Sequence, residues 1–300
     1  MQKFERGFNA LPLVLLAIAL VTGGFEAWML DSSSVTAFRD MRTVAQAAAV
    51  RASVLWMLAG VLDIVVLFWN AFAAGAIVAG HLGSIGRKVT ATAACLAMLA
   101  GGVLAHTSAM KPGSIMSMVN DATHLPINRT SVVSGTIFGG AAVLIIAAAV
   151  ALGRRAPGAL SAAELRVRIG EARLFLFSTA ALLASTLSSI FFTIVWPCEL
   201  PAAAGSHTPV ALLRPLAVTI TLASGIFYTA VLIILFVPVA IVHECWIEES
   251  WIATSAEAAG LSRAKWLSDN GLDRSLPATA AQIVAIAAPW LAAIGLPKLH

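Results

Sequence analysis

Charged residues are scarce in this chain. Asp, Glu, Lys and Arg make up 11% of its 300 residues and hydrophobic residues 59%, whereas an average soluble domain has about 25% charged residues. A soluble globule of this length could not cover its surface with so few charges, which excludes a soluble enzyme, and a disordered chain would not be this apolar. The mean hydropathy of +0.90 indicates an integral membrane protein instead.

Cysteine is also rare, and the excess of positive charge is small. Cys95, Cys198 and Cys245 fall at three different predicted depths, so no disulfide framework is expected. The net charge of +4 is explained by basic loop residues that fix membrane topology. We therefore expect the lipid bilayer, and not nucleic acid, as the partner of this chain.

The short motifs of common enzyme classes are missing. The sequence contains no G-x-S-x-G, H-E-x-x-H or C-x-x-C pattern, no P-loop and no Rossmann fingerprint. We therefore expect a protein that is not an enzyme and that needs no cofactor, with copper as the one alternative.

Long hydrophobic runs are what the chain has in abundance. Six runs are long enough to cross a bilayer core of about 30 Å as helices. They are unbroken, whereas the strands of a membrane barrel alternate apolar and polar residues. A further stretch, 277–297, contains Pro289 and is predicted to form an interfacial or re-entrant helix, or else a seventh span. The six runs are 9–30, 52–80, 90–110, 132–152, 174–196 and 215–242.

The predicted fold is all-α, a polytopic bundle of transmembrane helices. We divide the chain into the bundle, residues 1–242, and a segment 243–300 that holds an acidic cytoplasmic part and then the membrane-associated C-terminal helix. Before the fifth run, Ser161 and Glu164 form a capping box, which predicts that an amphipathic helix starts there.

The distribution of Lys and Arg predicts the orientation. With a cytoplasmic N-terminus, 12 of the 19 basic residues lie in inner segments and seven in outer ones. Because basic loops stay in the cytoplasm, this bias favours a cytoplasmic N-terminus. The alanine-rich composition and the short loops are typical of a bacterial inner-membrane protein.

Asp63 is an ionisable residue in the middle of an apolar run. Such a group costs about 2.5–3.5 kcal/mol on insertion scales, so it should face the bundle interior or water. Trp56, Asp63 and Asn70 are seven residues apart and share one stripe of a helix. This stripe predicts either a polar path for an ion, a proton or a small solute, or a set of hydrogen bonds to a Ser or Thr of another helix.

Two later runs carry polar stripes that could complete such a path. Their hydroxyl groups could line the path with Asp63, or could merely bond their own helix and its neighbours. These residues are Ser178, Ser185, Ser189 and Thr193 in the run 174–196, and Thr221, Ser224 and Tyr228 in the run 215–242.

Two further patterns consist of small residues. Gly135 and Gly139 form a G-x-x-x-G, and a stripe spaced by four residues in the third run includes Ala97 and Gly101. Both patterns let helices approach closely. The contact they predict lies either within one chain or between two copies of a homo-oligomer.

The outer loop 106–124 carries two imidazoles and three thioethers within 19 residues. Thioether and imidazole ligands suit copper. The order His106, Pro112-Gly113, Asp121-Ala122 and His124-Leu125 resembles the matching stretch of copper-resistance-D-type membrane proteins, although no Trp-Gly-Gly follows the second His. The resemblance implies a copper-handling function. The predicted ligands are His106, Met110, Met116, Met118 and His124.

These patterns lead to three functional hypotheses. The first is a non-enzymatic membrane protein that conducts or transports a small solute or ion along a polar path near Asp63. The second is a copper-handling protein that binds metal in the loop 106–124. The third is a membrane-anchored subunit or effector whose acidic tail, 243–276, docks a partner of a membrane complex. Substitution of Asp63 separates the first from the others, because only a path protein should lose flux.

Overall fold

The structure is a computed structural model that describes residues 44–111, 117, 127–154, 160–199, 213–257, 262–272 and 276–299. Throughout these ranges the regular structure is helical, which confirms the all-α prediction for this part of the chain. Short 3₁₀ turns, Trp196–Glu199 and Leu296–Leu299, follow the fourth and the last helix. The helices are α1 Val44–His81, α2 Ser84–Met110, α3 Ile127–Gly153, α4 Ala162–Val195, α5 Leu213–Glu257, α6 Arg263–Asp269 and α7 Leu276–Gly295.

Helices α1 to α5 each contain a stretch that is long and apolar enough to cross a membrane. They match five of the six predicted spans, and the first run, 9–30, lies outside the described residues. Their outward faces carry large apolar side chains, such as Leu99 and Ile234, which are well exposed. Such faces suit contact with lipid. The chain is therefore a multi-pass integral membrane protein.

The core of the bundle consists of two apolar clusters at different depths. We name the two ends of the bundle after Trp196 and His243, which lie near them. Helices α1 and α5 run from the Trp196 end to the His243 end, and α4 and α7 run the opposite way. The Trp196-end cluster includes Ala52, Leu187, Trp196, Leu213 and Ala293; the other includes Ile77, Leu152, Phe175, Val239 and Ala285.

Helices α4 and α5 are longer than their apolar runs. The predicted capping box is present, since Glu164 N donates to Ser161 Oγ (3.3 Å) and Ser161 N donates to the Glu164 carboxylate (2.9 Å). The amphipathic segment that starts there continues into the span without a break. Helix α5 likewise passes residue 242 and ends at Glu257. The first part of the acidic segment therefore extends the span as one helix.

A third apolar cluster lies beyond the His243 end. Leu165 of α4, Trp246 of α5 and Trp266 of α6 are buried against one another. At its edge Arg263 pairs with both Glu244 (2.5 Å) and Glu248 (3.0 Å) of α5. The two glutamates, four residues apart, are thus bound to a guanidinium group, and α6 is fixed to the end of α5.

One face of helix α7 packs along α4 and α5, and its other face, with Ile283 and Val284, is exposed. It contributes Ala285 to the cluster at the His243 end and Ala293 to the cluster at the Trp196 end. Gly225 of α5 allows the approach, because a Cβ there would lie 2.6 Å from the Ala293 Cβ and 3.1 Å from the Pro289 carbonyl oxygen. Helix α7 is shorter than the five spans, but it contacts both levels of the core.

The two small-residue patterns pack against each other within one chain. A Cβ at Gly101 of α2 would overlap the carbonyl oxygen of Gly135 in α3, and a Cβ at Gly139 would overlap that of Ala97. A Cβ at Gly135 would lie 2.6 Å from the Cβ of Ala105. Of the two arrangements that the sequence left open, the structure has the intramolecular one.

Candidate functional site

The polar stripe of α1 faces α4 along its whole length. Each member of the stripe forms a hydrogen bond with a threonine of α4, and the three bonds follow one another from the Trp196 end towards the His243 end. We name these six residues the α1–α4 seam. The pairs are Trp56 with Thr193 (3.0 Å), Asp63 with Thr186 (2.9 Å) and Asn70 with Thr179 (2.9 Å).

The register of the seam follows from its spacing. The α1 residues are seven apart, and so are Thr179, Thr186 and Thr193. Helices that cross at a small left-handed angle return to the same contact every seven residues, so two antiparallel heptads stay paired. Thr179 and Thr186 are missing from the predicted set, although their spacing with Thr193 matches that of the α1 stripe and could have identified them.

The carboxylate of Asp63 is buried, with 7% of the residue exposed. Its Oδ1 accepts hydrogen bonds from Ser185 Oγ and Thr186 Oγ1, both at 2.9 Å. The same two hydroxyls also lie 2.8 and 2.9 Å from the carbonyl oxygen of Leu182. Each hydroxyl has one proton and can donate it to one of these acceptors.

Two hydrogen-bond arrangements therefore fit the same atoms. When Asp63 is ionised, both hydroxyls donate to the carboxylate. When Asp63 is protonated, its own O–H can donate to one hydroxyl oxygen, and that hydroxyl then donates to the Leu182 carbonyl. Rotation of these hydroxyl groups alone is therefore enough to satisfy the hydrogen bonds of both protonation states of Asp63.

Asp63 lies in the wall of a cavity of about 670 Å³ between α1, α3, α4 and α5. The lining is mostly apolar with a few polar side chains, and its described part contains no basic side chain. An ionised Asp63 would therefore favour a positively charged occupant. The polar lining residues are Trp56, Asp63, Thr179, Thr186, Ser189, Thr193 and Tyr228; the apolar ones include Phe138, Ile145, Ile146, Leu183, Phe227 and Leu235.

Two indole rings stack at the Trp196 end of the cavity, where Trp56 belongs to the lining. Trp56 and Trp196 lie with ring centroids 4.1 Å apart and planes 4° from parallel. Trp196 Nε1 donates to Ser53 Oγ at 2.8 Å, so the second ring is also bonded to α1. Trp56 thus makes two contacts, since its ring packs on Trp196 and its N–H donates to Thr193 of α4.

The structure separates the predicted polar path into two groups. Trp56, Asp63, Ser189, Thr193 and Tyr228 line the cavity, and Ser185 reaches it through Asp63. Residues outside the lining are Asn70, Thr221 and Ser224. The predicted residues of the first group therefore surround one cavity at Asp63.

Asn70 is the α1 residue of the α1–α4 seam that lies nearest the His243 end. It is fully buried, and its Nδ2 donates to Ser178 Oγ (3.1 Å) as well as to Thr179 Oγ1. Its Oδ1 has no partner among the residues that the structure describes. The amide group is bound to α4 and does not face the cavity.

The predicted copper ligands fall largely outside the described residues. Met116, Met118 and His124 are not described, and Met110 ends α2 without a described side chain. His106 lies on an exposed face of α2. Within the described ranges there is no group of three His, Cys, Asp or Glu residues that could hold a metal ion. The copper site stays a prediction.

Comparison of the chain with protein-family models, with curated proteins and with solved structures finds no match. The resemblance of the loop 106–124 to copper-resistance-D-type proteins gains no support from the family models. The function has to be inferred from the geometry of the site.

Proposed function

We propose that this membrane protein transports a small, positively charged solute across the bilayer by way of the cavity at Asp63. The proposal rests on one observation, the buried carboxylate in the wall of an amphipathic cavity that lacks described basic residues. Ionisable residues inside membranes are rare and commonly mark ion, proton or substrate pathways. The α1–α4 seam holds the carboxylate at a fixed depth between the helices.

The lining favours an organic cation over a metal ion. The volume of about 670 Å³ is within the range of about 300–1,000 Å³ that small-molecule sites occupy. Calcium takes six to eight oxygen ligands, whereas this cavity offers one carboxylate and a few hydroxyls. An amine or other organic cation needs one countercharge, and its apolar part would pack against Phe138, Ile145 and Phe227.

A single carboxylate also supplies a coupling mechanism. Asp63 cannot hold a proton and a cation at the same time, because protonation removes the charge that attracts the cation. Proton uptake from one side therefore expels the solute, and proton loss restores its site. The hydroxyls of Ser185 and Thr186 accommodate both states, since each can turn between Asp63 and the Leu182 carbonyl.

The proposal includes the topology. Helix α7 has 20 residues, and about 20 residues span a bilayer core, so we infer that it crosses the membrane beside α4 and α5. We also propose that the His243 end faces the cytoplasm; the basic residues Arg154, Arg166, Arg168, Arg173 and Arg263 at that end support this orientation. A bacterial inner membrane fits this arrangement.

The test is flux through purified protein in proteoliposomes, with ethidium as the cation and a pH-sensitive dye for protons. Asp63→Asn should keep thermal stability, because the amide oxygen still accepts from Ser185 and Thr186. It should lose flux to the level of empty vesicles. Ser224→Ala is the matched control, since Ser224 belongs to a predicted polar stripe but does not line the cavity. Wild-type flux in Asp63→Asn at every pH would contradict the proposal.

A further inference from the structure

A second, smaller cavity lies at the His243 end, between α4, α5 and α7. Its volume is about 130 Å³, and its polar lining residues are Arg173, His243 and Gln282, one from each helix. The remaining lining is apolar and includes Leu176, Phe236 and Ile286. The cavity is therefore polar where the three helices carry these side chains and apolar around them.

The three polar residues mark the same boundary on their helices. Arg173 is the last charged residue of α4, and 174–195 are uncharged. Gln282 is the last polar side chain of α7, and apolar residues follow to Leu296. His243 comes directly after the uncharged stretch 215–242 of α5. The stretch 174–195 of α4 has 22 residues, about 33 Å of helix at 1.5 Å per residue, which matches a bilayer core of about 30 Å. The cavity therefore lies where lipid headgroups begin.

Arg173 has a buried donor at this boundary. Its Nε is buried, and no described residue accepts a hydrogen bond from it. The nearest acid along α4, Glu171, is bound to His81 of α1 at 2.6 Å. A buried N–H without an acceptor is costly. An acceptor supplied by a ligand would remove that cost.

We propose that this cavity binds the phosphate group of a phospholipid. A guanidinium group binds phosphate oxygens through two parallel N–H donors, and the Gln282 amide can add a third. The apolar walls at Leu176, Phe236 and Ile286 suit the glycerol and acyl part of the same molecule. A free phosphate ion would meet the same donors but would leave these walls without a partner.

The site is independent of the cavity at Asp63. The two cavities share no lining residue. An anionic lipid bound there would contact α4, α5 and α7 together, at the level where α7 enters the bundle. Basic pockets between helices on the cytoplasmic side are known sites for lipid headgroups.

The experiment measures the melting temperature of the full-length protein in detergent with three additions: phosphatidylglycerol, phosphatidylcholine and inorganic phosphate. Phosphatidylglycerol should raise the melting temperature of the wild type and of Arg166→Gln, and should raise that of Arg173→Gln much less. Arg166 is a matched control because it is an exposed arginine of the same helix outside the cavity. Phosphatidylcholine should act more weakly, and inorganic phosphate alone should have no effect.

Two outcomes would overturn the proposal. If phosphatidylglycerol raised the melting temperature of Arg173→Gln as much as that of the wild type, Arg173 would not bind the lipid. If inorganic phosphate raised the melting temperature as much as the lipid did, and Arg173→Gln lost this rise, the ligand would be a free phosphate ion and not a lipid. Gln282→Ala serves as a second variant in case Arg173→Gln does not fold. It should also reduce the shift, and an undiminished shift would contradict the assigned donor set.

Discussion

Asp63 and Asn70 occupy equivalent positions on the polar stripe of α1, yet only Asp63 lines the large cavity. Both side chains bind α4, and both are buried. The difference is that the Asn70 amide faces Ser178 and Thr179, on the α4 side, and makes no contact with the cavity. The stripe allowed two interpretations, a polar path or a set of interhelical hydrogen bonds. Asn70 only forms interhelical hydrogen bonds, and the proposed binding role concerns Asp63 alone.

Asn70→Leu tests this division. The substitution removes both hydrogen bonds to α4, while Ser178 and Thr179 keep their bonds to the carbonyl oxygen of Phe175 at 3.0 and 2.8 Å. The free energy of unfolding should fall by about 0.6–1.7 kcal/mol, the size of interhelical hydrogen bonds in membranes. Cation and proton flux should remain. Denaturation in detergent and flux in proteoliposomes measure the two quantities. Loss of flux with unchanged stability would instead make Asn70 part of the transport pathway.

The residues of the site differ in how far the sequence predicts them. Asp63 is recognisable because an acidic residue within an apolar run is energetically costly. The seam is recognisable because its residues recur every seven positions on both helices. The apolar lining of the cavity is not recognisable from the sequence, because it depends on how α3 and α5 cross α1 and α4. In the sequence, Phe138 and Phe227 do not differ from lipid-facing residues. Thr221, which the sequence places on the path, does not line the cavity; it is fully buried one turn before Gly225, the residue of α5 that contacts α7.

At the scale of elements, the pair α2–α3 depends on backbone contact between small residues. Gly101 and Gly135 lie so close that the two helices touch through their main chains. Dispersion between closely packed backbones is a main source of helix association in a membrane, where the hydrophobic effect gives no help. Any side chain at these positions must push the helices apart.

Gly101→Ala should destabilise the protein by about 1–3 kcal/mol, as overpacking of a dense core does. Gly60→Ala is the control, because a Cβ at Gly60 meets nothing within 4 Å. There alanine should be neutral or should stabilise α1 by up to about 1 kcal/mol through its higher helix propensity. Thermal unfolding of the two variants compares them. Equal melting temperatures would show that the α2–α3 contact does not limit stability.

Run length predicts five helices well, because the backbone in lipid is satisfied only in a helix or a closed barrel, and the unbroken apolar runs exclude the barrel. It predicts their ends poorly. Helices α4 and α5 continue beyond their apolar runs because no breaker stands at residue 173 or 242, and Pro238 is accommodated within α5. For helix α7, which is short and contains Pro289, the sequence predicts an interfacial or re-entrant helix or a seventh span, but not its contacts with α4 and α5. Its position depends on the space that Gly225 leaves, which only the packed structure reveals.

For the whole molecule, the orientation can be tested with its own cysteines. Cys198 lies at the Trp196 end, and Cys245 is exposed near the His243 end. A membrane-impermeant maleimide added to intact cells should label a variant that retains only Cys198. A variant that retains only Cys245 should react after permeabilisation. If α7 crosses the membrane, Lys298→Cys in a cysteine-free chain should behave like Cys198. Labelling of Cys245 in intact cells would reverse the orientation.

The length of α5 has a mechanical consequence. Its 45 residues make a rod of about 68 Å at 1.5 Å per residue, longer than the bilayer core. The same helix lines the Asp63 cavity at Tyr228, contacts α6 through Glu244 and Glu248, and ends at Glu257. Under the proposed function, a tilt that a bound solute imposes on α5 at Tyr228 would pass along the helix through Pro238, a residue that removes a backbone hydrogen bond and commonly bends helices. Any tilt that passes Pro238 displaces the acidic part of α5 farther than the cavity wall, because displacement grows with distance from the pivot.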